Sequence, residues 1–75
     1  MPERTYKIIE LVGVAETSSD QAIQNALTRA ATTLQGLDWF EVVQTRGMIQ
    51  DGQVAQFQVV LRVGFRVMTA DELRA

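Results

Sequence analysis

Trp39 is the residue of this chain with the clearest potential for binding chemistry, and it is the only tryptophan. It lies in the run LDWFEV at 37–42, which reads as the start of a β-strand. Side chains alternate across a strand, so Trp39 lies on the opposite face from Phe40 and Val42. A large flat ring on the more polar face of a sheet predicts one of two roles. It stacks on a planar ligand, or it packs against another copy of the chain.

Proton-transfer and metal chemistry find little support in the composition. The chain has no cysteine and no histidine. Disulfides and thiolate metal sites are therefore excluded, and a zinc site would have to use carboxylates alone, which is atypical. No matched pair of carboxylates accompanies Trp39 to act as acid and base. The sequence predicts a protein that is not an enzyme.

Length and charge narrow the remaining classes. With 75 residues the chain is expected to form one domain, 1–75, whose core is marginal by itself. Oligomerisation is the means of stabilisation left to a small domain without disulfides or metals. A net charge of −2 provides no field that would attract nucleic acid. The N-terminus lacks the apolar segment of a signal peptide and no apolar run approaches a membrane span, so a cytoplasmic protein without membrane contact is expected.

The first half of the chain predicts a strand followed by a helix. Residues 5–13 are rich in β-formers and stop at Gly13. A helix is expected over 19–35, because Ser18 and Gln21 have the spacing of a capping box. Gly36 suits the position at which a left-handed residue ends a helix. An apolar stripe at helical spacing is expected to face the sheet: Ile23, Ala26, Leu27, Ala30 and Leu34.

The second half predicts a β-hairpin. Strands are expected at 38–50 and 53–67, joined by Asp51-Gly52, a strong two-residue turn signal. The tail at 68–75 is expected to fray or to add a helical turn. The fold class is therefore α+β, in the order β-α-β-β, with a three-stranded antiparallel sheet. The last strand spans roughly 50 Å and the helix only roughly 26 Å, so the sheet must curl around the helix or be covered by other subunits. Along the last strand, one face is apolar and is expected to meet the helix: Ala55, Phe57, Val59, Leu61, Val63, Phe65 and Val67.

The turn also predicts the pairing of the two strands on the polar face. Trp39 is expected opposite Gly64, Glu41 opposite Arg62 as an ion pair, Val43 opposite Val60, and Thr45 opposite Gln58. Gly64 would leave a space beside Trp39 for a ligand or another backbone. A bulge at Arg46-Gly47 would break this register.

Several segments together resemble the dodecins, a family of small flavin-binding proteins. They are ELVG at 10–13, LDWFEV at 37–42, Arg46-Gly47, and FQVV at 57–60 followed by VGFR at 63–66. The resemblance runs from about Tyr6 to Val67. It implies a hollow homododecamer built from trimers, with flavins held at subunit interfaces. The tail at 68–75 departs from many members of the family.

The resemblance also implies the site residues. Trp39 would stack on the isoalloxazine ring, and Gln58 would hydrogen-bond its pyrimidine edge. Arg46 would lie near the ligand and Arg66 would meet a phosphate. The residue chemistry agrees, because a carboxamide offers a donor and an acceptor on neighbouring atoms and guanidinium groups form charge-assisted bonds to phosphate. Trp39 and Gln58 lie roughly 20 Å apart in one hairpin, so a shared site would draw on two chains.

The expected function is storage, buffering and photoprotection of FMN, riboflavin or FAD. Two alternatives stay open: a small flavin-dependent oxidoreductase, and a ligand-free assembly module in which Trp39 joins subunits. Some bacterial dodecins also bind coenzyme A, so an adenine-nucleotide role at a separate surface is a further alternative. Arg46 has a subunit salt bridge as its plainer interpretation, and Arg66 a solvated charge.

Overall fold

The computed structural model describes residues 4–69 and has the predicted order of elements. Strand β1 is Tyr6–Ala15, helix α1 is Ser19–Ala31, strand β2 is Leu37–Gln50 and strand β3 is Gln53–Arg66. The three strands form one sheet in the order β1-β3-β2, and both pairings are antiparallel. The α+β class with a three-stranded antiparallel sheet is confirmed. Of the predicted tail, 70–75 lies outside the described residues, and Met68 and Thr69 belong to no helix or strand.

The prediction that the first strand stops at Gly13 is wrong. The strand continues to Ala15, and Gly13 is buried beneath α1. A Cβ atom at Gly13 would collide with the backbone carbonyl oxygen of Ala22. The glycine therefore serves the close approach of α1 to β1, which the small side chains of the helix also permit.

Helix α1 begins as predicted and ends earlier. The Ser18 Oγ accepts a hydrogen bond from the Gln21 backbone N–H at 3.0 Å, although the Gln21 side chain donates to Asn25 and does not complete the box. The helix ends at Ala31, four residues before the predicted end. There the Thr32 hydroxyl donates to the Arg29 carbonyl at 2.7 Å, a local bond that competes with helix propagation.

Gly36, which was predicted to end the helix, lies beyond its last residue, Ala31. Gly36 does have a positive φ of 78°, but it lies in the connection between α1 and β2. Its carbonyl accepts a hydrogen bond from the Arg66 backbone N–H at 2.9 Å. This hydrogen bond links the residue before β2 to the last residue of β3.

The core lies between α1 and the central strand β3. Val59, Leu61 and Val63 are at most 1% exposed. The helix contributes Ala22 and Ala26 to the same cluster, with Ile23 and Leu27 packed at its margin. The apolar face predicted for β3 is thus buried only in its middle. Ala55, Phe57 and Phe65 are half-buried, and Val67 is exposed.

The register of the hairpin is partly as predicted and partly wrong. Trp39 does oppose Gly64, and Glu41 opposes Arg62. Counted from the turn, an irregularity between Met48 and Ile49 shifts the pairing by one residue, so the predicted Val43–Val60 and Thr45–Gln58 pairs do not form. A bulge between Val42 and Gln44 then restores the predicted register. At Arg46-Gly47, where a bulge would have broken the predicted register, the pairing is regular. A third irregularity lies between Leu37 and Trp39.

The irregularity between Met48 and Ile49 has a direct consequence for Arg46. Beyond it, Gln44 opposes Val60 and Arg46 opposes Gln58. Because paired residues share a face, Arg46 moves to the face of Gln58, away from α1. In the predicted register it would have faced the helix side.

The described chain is elongated, with extents of 54 × 20 × 15 Å. Its radius of gyration is 15.4 Å, whereas a compact chain of this length has about 11 Å. Helix α1 packs on β1 and β3, and β2 lies beyond it, with residues 38–50 all exposed. Among the described residues no helix is long and apolar enough to cross a bilayer.

Candidate functional site

Trp39 lies on the face of the sheet turned away from α1, which we call the outer face. Its indole lies across Gly64 of the central strand, where a Cβ atom would collide with Cε2 and Cζ2 of the ring. The space predicted beside Gly64 is therefore filled by the indole itself. Gly64 is buried under the ring, and Trp39 remains 40% exposed. Because Gly64 has no side chain, the indole lies directly on the backbone of β3 and part of the ring stays accessible.

Tyr6 is a neighbour of Trp39 that the sequence analysis missed. Its ring centroid lies 6.2 Å from that of Trp39, with an angle of 59° between the planes. Its hydroxyl donates to Asp38 Oδ2 at 2.7 Å. The signal for this contact is the β1–β3 register, which places Tyr6 opposite Arg66 and Ile8 opposite Gly64. Pairing between strands so distant in sequence could not be read from a turn.

Arg62 forms the predicted ion pair and a second one beside it. Its guanidinium lies 3.7 Å from Glu41 Oε1 on β2 and 3.3 Å from Glu10 Oε2 on β1. The three charges form one row across the outer face, next to the row of Trp39. Their side chains are about half exposed, so the pairs contribute little to stability. Arg62 is thus a structural residue of the sheet.

Gln58 lies in a polar cluster at the other end of the outer face. Its Oε1 accepts from Arg46 Nε at 2.9 Å, and its Nε2 donates to Gln56 Oε1 at 2.7 Å. Arg46 also donates to Gln44 Oε1 at 3.3 Å. A carboxamide has two donor hydrogens and two acceptor lone pairs, so Gln58 keeps one of each for a further partner. Gln44 and Gln56 orient this group and were not identified from the sequence.

Arg66 is at the Trp39 end of the outer face. It follows Gly64 by two residues on β3 and opposes Tyr6 on β1. Its side chain is half-buried, and its backbone N–H bonds to the Gly36 carbonyl. By strand alternation it lies on the same face as the indole. Arg66 is therefore partly covered at the end of the strand and remains close to the indole.

The four predicted site residues divide into two groups. Trp39 and Arg66 are at one end of the outer face, whereas Gln58 and Arg46 are at the other. Gln58 and Gly64 are separated by six residues of β3, roughly 20 Å. A single copy of the chain cannot bring both groups to one small ligand.

The concavities of the single chain do not unite them either. A groove of about 430 Å³ lies between α1 and the start of β2. Leu27 and Thr28 line it from the helix, and Leu37, Trp39 and Phe40 line it from the sheet. A groove of about 500 Å³ on the other side of α1 contains none of the four residues. In the part of the chain that is described, no cluster of histidine, cysteine, aspartate or glutamate could hold a metal ion.

Comparison with known proteins adds a family. The family model described as Dodecin matches residues 5–68. A dodecin of Thermus thermophilus is 53% identical over 64 residues, which are 85% of this chain and 93% of that protein. The structure of dodecin from Streptomyces coelicolor superposes with a TM-score of 0.87 at 53% identity, covering 93% of this chain and all of that one. Dodecin from Streptomyces davaonensis gives the same TM-score at 47% identity, covering 91% of this chain and all of that one.

Proposed function

The chain belongs to the dodecin family, and on that premise we propose that it is a non-catalytic flavin-binding protein. It stores and buffers FMN, riboflavin or FAD and protects the bound flavin from light. The isoalloxazine ring stacks on Trp39 at interfaces between copies of the chain. The assembly is a hollow homo-oligomer, in agreement with the dodecamer that the family resemblance implies.

One observation carries this proposal: an indole that its own chain supports from below and leaves open above. Trp39 lies across Gly64 and is 40% exposed on the outer face. An indole is the best side-chain surface for stacking on a flat, electron-poor ring system. An electron-rich indole in contact with a flavin also quenches its excited state by electron transfer. That contact accounts for protection of the cofactor without turnover.

Gln58 supplies the polar contact to the ring edge. The pyrimidine edge of a flavin alternates donors and acceptors, and the carboxamide retains one donor and one acceptor beyond its bonds to Arg46 and Gln56. Because Gln58 is roughly 20 Å from the indole of its own chain, the carboxamide in each site comes from a neighbouring copy.

Arg46 and Arg66 provide positive charge at the two ends of the outer face. Arg46 holds the acceptor oxygen of Gln58, so it orients the carboxamide and adds charge beside the ligand. Arg66 lies near the indole, where a guanidinium would form charge-assisted bonds to the phosphate of FMN. Riboflavin has no phosphate, so on this account it loses the contact with Arg66.

The residues near Trp39 favour the non-catalytic proposal over the enzyme alternative. The chain contains neither histidine nor cysteine, and the carboxylates in the row next to Trp39 are paired with Arg62. Asp38, next to Trp39 in the chain, accepts the hydrogen bond of the Tyr6 hydroxyl, so the carboxylates described near the indole are all engaged, and we propose no general acid–base role for them. Absence of steady-state turnover with NAD(P)H and an electron acceptor is the expected result for the flavin-loaded protein.

Substitution of Trp39 tests the proposed stacking. We predict that Trp39→Ala weakens FMN binding by about 1–3 kcal/mol, the range for stacking of aromatic side chains on nucleobases. The flavin that still binds should recover its fluorescence. A fluorescence titration of flavin-free protein with FMN measures both effects at once.

Gln58→Ala is the matched comparison. It removes a polar contact and leaves the indole in place, so binding should weaken less and quenching should persist. Unchanged affinity and quenching in Trp39→Ala would refute the stacking role.

A further inference from the structure

We propose that Tyr6 is a positioning residue for the Trp39 indole and acts together with Asp38. The pair sets the tilt of the surface on which the flavin stacks. This inference rests on the proposed function and concerns the same site. Neither residue was assigned a role from the sequence.

The contact is possible only because the central strand has a gap. Tyr6 is on β1 and Trp39 on β2, and β3 lies between these strands. Gly64 has no side chain, so the two rings reach each other over β3 at a centroid separation of 6.2 Å. Tilted aromatic pairs at about 4.5–7 Å are favourable. The tyrosine ring therefore limits the indole on the side of β1.

Asp38 connects Tyr6 to the backbone beside the indole. The register shift between Leu37 and Trp39 makes Asp38 the extra residue of β2, immediately before the tryptophan. The bond from the Tyr6 hydroxyl to Asp38 Oδ2 is 2.7 Å long, in the range of charge-assisted bonds. A bulge redirects the side chains around it. Tyr6 thus holds both the ring of Trp39 and the irregular backbone that aims it.

Tyr6 is itself anchored. It pairs with Arg66 in the β1–β3 ladder, and Val67 N–H bonds to the Thr5 carbonyl at 2.8 Å next to it. The indole, by contrast, is 40% exposed and belongs to a strand that α1 does not cover. Fixing a side chain before the ligand arrives removes part of the ordering cost of binding. Positioning by Tyr6 therefore contributes to affinity without contact between Tyr6 and the flavin.

Three variants separate the parts of this arrangement. Tyr6→Phe keeps the ring and removes the hydrogen bond, Asp38→Asn weakens the acceptor, and Tyr6→Leu removes the ring. Glu41→Gln is the matched control, because it removes the same charge as Asp38→Asn from an exposed position of the same strand. Since Trp39 is the only tryptophan, time-resolved fluorescence anisotropy of flavin-free protein reports the motion of this indole alone.

All three variants are expected to increase the fast motion of the indole and to weaken FMN binding by about two- to ten-fold, the cost of immobilising one side chain. Tyr6→Leu should have the largest effect, and Glu41→Gln should match the wild type in both measurements. Indole motion equal to wild type in all three variants would overturn the positioning role, whatever their affinity. A wild-type protein that does not bind FMN would instead overturn the proposed function, and this outcome is distinguishable because the motion is measured without flavin.

Discussion

At the scale of single residues, the site depends on a missing side chain. Gly64 is where the indole crosses the central strand, and without it Trp39 could neither lie on the sheet nor meet Tyr6. The two-residue turn predicts Gly64 opposite Trp39, and this pair forms because the two irregularities between the turn and Trp39 offset each other. The use of Gly64 was not predictable, because an empty space beside an aromatic ring serves a ligand or the ring itself equally well.

Gly64→Ala tests whether the position of the indole depends on the missing side chain at Gly64. The added methyl group collides with the indole, so the ring must move, and overpacking of this kind costs typically about 1–3 kcal/mol. We predict a loss of FMN affinity in that range, measured by fluorescence titration.

The control for Gly64→Ala is the double variant with Trp39→Ala. If the methyl group acts only through the indole, Gly64→Ala should cause no further loss in a protein that lacks the indole. Wild-type affinity for FMN in the single variant, or full additivity in the double variant, would contradict the proposed role of Gly64 in positioning the indole.

At the scale of elements, the alternation of β3 and the cap of α1 were readable, but the irregularities of β2 were not. The buried row Val59, Leu61 and Val63 follows from period-two alternation, and the Ser18 cap follows from local spacing. The bulge at Val43 has no local marker, because valine fits a regular strand or a bulge equally well. The glycine at 47, which suggested a bulge, instead opposes Phe57 within the ladder. The irregularity between Met48 and Ile49 brings Arg46 opposite Gln58, and the bulge at Val43 returns the pairing to the register that places Trp39 opposite Gly64.

The helix cap provides a prediction for stability. Ser18→Ala removes the acceptor for the Gln21 N–H and should lower the free energy of unfolding by about 1 kcal/mol. Urea denaturation followed by circular dichroism, at fixed protein concentration, measures the change.

Ser19→Ala is the matched control for the cap. It removes a hydroxyl one residue later, at the first helical position, where the side chain does not form the cap. Equal losses in the two variants would show that the Ser18 bond contributes nothing specific.

At the scale of the whole molecule, a single copy of the described chain leaves apolar surface exposed and the proposed site residues apart. It is elongated, and α1 packs on β1 and β3 and leaves β2 uncovered. Phe40, Val42 and Val43 of β2 are each about 45% exposed. The two groups of site residues lie at opposite ends of the outer face. Association of copies would cover the apolar surface and bring an indole from one chain to a carboxamide from another. This is the physical reason for the proposal that assembly and ligand binding belong together.

Native mass spectrometry of freshly purified protein titrated with FMN shows whether flavin binds to the assembly or to the single chain. We expect flavin mass increments on an assembly of several copies and none on the single chain. The Trp39→Ala protein should form an assembly of the same size with fewer increments. Flavin bound to an isolated chain, or a wild-type assembly that takes up no flavin, would show that the proposed link between assembly and flavin binding is wrong.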